Sequence, residues 1–202
     1  MRREQLPALI FNATLGSDEY QAFWRSTPAP GQYPRVSRAT ASATLSGINE
    51  DARRWLGGDY RAQNRALELL LSEVAGGDGG ALLAALARQH DWVDRANRML
   101  ALPAARVTQC FQQPRDGASA LTAALVAQYN SSALPARAAA LARRYHQLLP
   151  HIAALEAQLT NTLPPRYRHW MDARNQHLAQ FTAAPRQHLE QLQRLPHTCA
   201  AR

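Results

Sequence analysis

The chain has 202 residues, 46% of them hydrophobic, which is enough apolar material for the core of one domain. All 23 basic residues are arginine and outnumber 15 acids, giving a net charge of +8. The longest uninterrupted apolar run, Ala81 to Ala87, is far short of the roughly 20 residues that a membrane-spanning helix needs, so no membrane span is expected.

At the N-terminus the apolar stretch up to Phe11 is broken, and no small-residue cleavage site follows it, unlike a secretory signal. This predicts a cytoplasmic protein, with delivery into a host cell by a signal-independent route as the alternative. The absence of lysine fits either the codon bias of a GC-rich bacterial genome or selection against modifiable amines. Cys110 and Cys199 stand 89 residues apart with no Cys or His partner at metal spacing. They predict free thiols, with neither a zinc site nor a disulfide framework.

In chain order, Leu6 to Phe11 is apolar, and Ser17 can cap a short helix that carries Asp18 and Glu19 in its first turn and Tyr20, Phe23 and Trp24 on one face. The prolines from Pro28 to Pro34 predict a loop to about Ala41. Asn49 is expected to cap the next helix, Gly57-Gly58 to stop it, and Asp59 to cap its successor, which carries Tyr60, Leu67, Leu70, Leu71 and Val74 on its buried side. Gly76-Gly77-Asp78-Gly79-Gly80 then reads as a hinge or helix end, because a phosphate-cradling loop needs a preceding strand and a Gly-Lys-Ser/Thr ending. A helix from Ala81 is expected to stop before Pro103, followed by a short one to about Gln113 and another capped by Asp116 and bearing Leu121, Leu125, Val126 and Tyr129.

The most regular pattern is Leu134, Ala138, Leu141, Tyr145, Leu148, Ile152, Leu155 and Leu159, whose steps of four and three place them on one helix face. Arg137, Arg143, Arg144, His146, His151 and Glu156 are assigned to the opposite side. Pro150 makes this stretch either one bent helix or two helices that meet. Pro164-Pro165 should start a helix from about Arg166 to Phe181, and Pro185 a last one that ends before Pro196. No stretch alternates with period two, so the prediction is an all-α multi-helix bundle without significant sheet, built around a long helix or kinked pair at about 134–160. A single domain, 1–202, is expected, with a sub-boundary near 114–117 that separates 1–113 from a basic part, 117–202.

That boundary also divides the charge. Residues 1–116 carry 14 Arg against 12 acids, whereas 117–202 carry 9 Arg against only Glu156, Asp172 and Glu190, for excesses of +2 and +6. The C-terminal part is therefore the candidate surface for an acidic partner. Its densest chemistry is the run Arg166-Tyr167-Arg168-His169-Trp170-Met171-Asp172-Ala173-Arg174. On a helix Tyr167, Trp170, Met171, Leu178 and Phe181 share an arc with Arg174 in its middle, and an arginine there must snorkel, pair with a carboxylate or receive an anion. Arg143, Arg144, Arg166, Arg168, Trp170 and Arg174 are the candidate partner-binding residues. Arginines interleaved with aromatics also suit phosphates and stacked bases, so nucleic acid is the alternative partner. His146 and His151, or His169 and His177, lack the spacing of paired ligands on one helix face, and no nucleophile elbow, zinc-protease motif or catalytic carboxylate pair occurs. No cofactor, metal or catalytic residue is assigned.

Leu45-Ser46 and the run Glu50-Asp51-Ala52-Arg53-Arg54-Trp55-Leu56-Gly57-Gly58-Asp59-Tyr60-Arg61-Ala62-Gln63-Asn64-Arg65-Ala66-Leu67 resemble the paired-helix segment of bacterial mono-ADP-ribosyltransferase toxins. The resemblance implies catalysis through an arginine on a following strand, a Ser-Thr-Ser strand and a Glu-x-Glu turn. Ala105-Arg106-Val107-Thr108-Gln109 lacks the strand context and no Glu-x-Glu occurs, so no catalytic residue is carried across. A non-enzymatic bacterial interaction protein, an adaptor, secretion-associated factor or delivered effector, is thus the leading expectation. A divergent transferase is the second alternative, after nucleic-acid binding.

Overall fold

Helices account for all regular structure among the described residues of the computed structural model, which are 3–25, 33, 40–59, 64–105 and 115–200, with side chains described within 4–25, 33, 40–59, 64–101 and 123–194. In order they are α1 (Leu6–Ala13), α2 (Asp18–Arg25), α3 (Thr40–Leu56), α4 (Asn64–Ala75), α5 (Gly79–Ala105), α6 (Arg115–Ser131), α7 (Leu134–Gln158) and α8 (Pro165–Ala200). The protein is an all-helical bundle, as its sequence periodicity predicts, and no strand occurs among the described residues. The transferase resemblance therefore loses the sheet that its catalytic residues require. Residues 45–67 contain the end of α3, a turn and the start of α4, while Ala105 ends α5 and residues 106–109 lie outside the described part, as does Cys110 and the side chain of Cys199.

Local chemistry explains several boundaries. The Ser17 hydroxyl accepts the Tyr20 backbone N–H at 3.2 Å, capping α2 as expected. At the end of α3, Gly58 takes a left-handed φ of 95°, the Gly58 N–H bonds to the Trp55 carbonyl, and the Asp59 N–H reaches back to the Arg54 carbonyl, each at 3.0 Å. That pair of bonds is the Schellman arrangement, and it needs a residue without Cβ at position 58. The glycine-rich stretch closes α4 and opens α5: Gly77 N–H bonds to the Val74 carbonyl, and the Asp78 carbonyl accepts Leu82 N–H. Gly77 and Gly79 lie against the Phe23 ring; a Cβ on Gly77 would stand 2.6 Å from a ring carbon, and one on Gly79 would overlap the ring outright.

Several sequence expectations change; on α4, Val74 is buried as expected but Leu67, Leu70 and Leu71 are half-buried, and Tyr60 lies outside the described residues. Asn49 does not cap α3, which begins at Thr40; it is buried in mid-helix, where its amide donates to the His151 carbonyl at 2.7 Å and accepts from Gln158 at 2.9 Å. A polar residue is tolerated there because the facing helix satisfies it. α5 runs on through Pro103 to Ala105, and α8 through Pro185 and Pro196, so neither Pro103 nor Pro185 starts a new helix. Proline's fixed φ is compatible with a helix, and the continuing apolar face, Leu178, Ala184 and Leu192, outweighs the lost backbone bond. Of the two forms that Pro150 allows, α7 takes the single helix with the proline inside it. Lastly, Arg144 and Glu156 are not on the solvent side of α7 but buried.

Two compact units form, Met1–Ala85 with Ala142–Asn175, and Leu86–Leu141 with Gln176–Arg202. The first has its core in Leu15, Phe23, Leu45, Ile48, Leu148, Ile152 and Leu155; the second in Leu86, Leu141, Leu178 and Leu192. The stretch Asn64–Ala101 is long and apolar enough by composition to cross a membrane, with a mean hydropathy of 1.4, although no uninterrupted apolar run announces it. It is broken at residues 76–78 by the turn between α4 and α5, and its apolar window is 50% buried.

Candidate functional site

The first unit contains two buried arginine–carboxylate pairs, each completed by tyrosine. Arg144 on α7 donates from Nε to Asp78 Oδ2 at 2.9 Å and from Nη2 to Oδ1, while the Tyr33 hydroxyl donates to the same Oδ2 at 2.8 Å. Burial works against the Arg144 charge, but the hydrogen bonds and negative charge of Asp78 outweigh it and raise its pKa. The Tyr33 phenol is pushed up by burial first and by the Asp78 charge second.

Arg174 on α8 makes the second pair, donating to both Glu156 oxygens at 2.8 and 2.9 Å and to Asn175 Oδ1. Tyr167 Oη donates to Glu156 Oε1 at 2.8 Å. The Arg174 pKa is raised because bonds to Glu156 overcome the cost of burial. Burial is the main cause that holds the Tyr20 phenol up to about 12 and raises Tyr167 further. Of the three fates the sequence allows Arg174, pairing with a carboxylate is the one adopted.

The guanidinium of Arg174 also forms one side of an aromatic cluster. Its central carbon lies 5.2 Å from the Trp24 ring centroid and 4.8 Å from that of Trp170, both within cation–π range. Trp24 and Trp170 meet edge-on at 5.5 Å, Tyr167 and Trp170 at 5.3 Å, and Phe11 and Tyr167 edge-on at 5.3 Å. Beside them opens a pocket of about 580 Å³ lined by Phe11, Leu15, Gly16, Tyr20, Gln21, Trp24, Arg25, Pro164, Arg166, Tyr167 and Trp170. Such a volume falls among those of ordinary ligand sites. The walls are apolar and the charged lining residues are two arginines, without a carboxylate.

The six arginines and aromatics singled out by sequence thus separate. Arg166 and Trp170, one helical turn apart on α8, come together at the pocket, with Trp170 37% exposed. Arg143 and Arg168 are exposed but do not line it. Arg144 and Arg174, expected at a contact surface, are only 4% and 3% exposed, because each serves a buried carboxylate. Sequence reasoning missed Phe11, Tyr20, Trp24 and Arg25 as partners of α8, since nothing local links residues 11–25 to 164–174. Glu156 had a readable signal: it follows Ile152 by four and Leu148 by eight, on the apolar stripe. The described residues contain no group of three or more potential metal ligands.

Other arginine–acid contacts among the described residues include the solvent-exposed helix pairs Arg98–Asp94 at 2.9 Å and Arg186–Glu190 at 3.0 Å, which contribute little to stability, and Arg54 with Asp51 and Asp59 at the end of α3. No curated protein and no solved structure matches the chain. A family model does match, over residues 1–202, and on that match the chain belongs to the family described as "Protein of unknown function (DUF3080)".

Proposed function

We propose that this chain is a helical interaction protein with no catalytic chemistry of its own, and that it binds an acidic protein partner through the first unit, with Arg166, Trp170 and Arg25 at the centre of the contact. The observation that carries this reading is the pocket itself, where two exposed arginines border aromatic walls that include no acidic residue. Uncompensated cations beside exposed aromatic surface are the composition of a binding hot spot. Arg144 and Arg174 contribute indirectly, by fixing α7 and α8 through Asp78 and Glu156.

Capture experiments on the purified chain at low and high salt, with and without nuclease, test the reading. An acidic protein that is retained after nuclease treatment, is released by salt and is lost with Arg166→Ala supports it. Retention that disappears with nuclease, and affinity for mixed-sequence RNA or DNA that falls steeply with salt, would instead place the protein among nucleic-acid binders.

A further inference from the structure

The pocket offers apolar surface that a charge patch alone does not require. Phe11, Leu15, Tyr20, Trp24, Tyr167 and Trp170 give it apolar walls, and its volume is about 580 Å³. Its walls brace one another. Phe11, Tyr167, Trp170 and Trp24 lean on one another at 5.3 to 5.5 Å, Tyr20 meets Trp24 edge-on at 6.3 Å, and Arg174, fixed by Glu156, supports the two indoles. A site held open in this way spends little ordering entropy when a ligand enters, and edge-to-face geometry favours a further ring.

The rim is cationic, and no carboxylate lines it among the described residues. Among the described residues Arg25 Nη2 bonds to the neutral amide of Gln21, at 3.0 Å, and neither Arg25 nor Arg166 makes an ion pair. Both arginines are exposed, and so is Trp170. An occupant must therefore put a large apolar group inside and keep its negative charges at the surface. A side chain on a peptide does this naturally, because the backbone and the neighbouring residues stay outside.

We propose that the pocket receives a single aromatic side chain from an acidic segment of the partner protein, whose flanking carboxylates meet Arg25 and Arg166. This rests on the acidic-partner reading above and adds the anchor that makes the contact specific.

The test uses the full chain with 15N-labelled tryptophan and four probes: a blocked pentapeptide with a central phenylalanine between pairs of aspartates, the same peptide with central alanine, the phenylalanine peptide with arginines replacing the aspartates, and dodecanoate. The first peptide should shift the indole N–H signals of Trp24 and Trp170 while leaving those of Trp55 and Trp92 in place. It should bind at least about tenfold more tightly than the alanine and arginine peptides. Arg25→Ala with Arg166→Ala should weaken it by about tenfold or more. The arginine peptide makes the same comparison on the unsubstituted protein, should that variant fold poorly. Equal affinity for the phenylalanine and alanine peptides would overturn the anchor and leave the acidic-partner reading standing. Dodecanoate binding at Trp24 and Trp170 without peptide binding would make this a site for small amphiphiles and overturn the proposal. Silence from all four probes would remove both the anchor and the reading on which it rests.

Discussion

Removing one member of a buried ion pair strands the other in a medium that cannot solvate it, so Arg174 and Glu156, with side chains 1% and 5% exposed, are sensitive positions. Arg174→Met or Glu156→Gln should cost roughly 3 to 5 kcal/mol in chemical denaturation. Replacing both by apolar residues should cost clearly less than the sum, because no unpaired charge then remains. Additive losses would mean that the two side chains do not act as a pair. The phenols around these pairs make a second prediction. Below pH 10 Tyr20 is protonated in both folded and unfolded chains and its contribution to stability is complete; between 10 and about 12 the unfolded chain loses that proton while the folded one keeps it, so stability falls as pH rises. Tyr33 and Tyr167 are raised as well and act in the same direction. Absorbance at 295 nm should therefore show these three phenols ionising together with alkaline unfolding, not before it.

At the scale of elements, the meeting of α2 with the α4–α5 turn depends on glycine. Phe23 is fully buried and has no room to yield to a Cβ at position 79, so Gly79→Ala should destabilise by about 1 to 3 kcal/mol, the usual cost of overpacking. In a Phe23→Leu background the same substitution should cost less, which thermal melts of the four proteins can establish. Pro150 lies exposed inside α7, so Pro150→Ala should restore a backbone hydrogen bond and raise stability by on the order of 1 to 3 kcal/mol. Periodicity made α7 and the all-helical class legible, and local turn chemistry revealed the cap at Ser17 and the stop at Gly57-Gly58. The proline rule failed at Pro185 because packing along α8 overrode a local preference. The burial of Arg144 and Glu156 follows from their spacing, three or four residues from Leu141, Leu148 and Ile152, and not from their charge. The pocket was not legible, since its walls come from residues 11–25 and 164–170, joined only by the tertiary fold.

For the molecule as a whole, an acid response is expected through the second unit. The second holds His188, buried beside Asn97 and Tyr129, with a pKa lowered from 6.5 by that burial. Above about 6.5 His188 is neutral in both states; as pH falls below it, the unfolded chain takes up a proton that the folded chain resists, and stability declines. Acid should thus weaken the unit containing 176–202 through this residue, and His188→Phe should flatten the dependence in melts between about pH 7 and 5. The buried arginines have a consequence of another kind. With no lysine in the chain, trypsin has only arginines to cut, and two of them, Arg144 and Arg174, are held inside by Asp78 and Glu156. Trypsin must take the arginine side chain into its own pocket, so cleavage at Arg144 and Arg174 needs the ion pair to break in addition to the local helix opening that exposed Arg143 and Arg168, in the same two helices, also require. The lag between the two sets of sites is a built-in clock for release of the buried pairs.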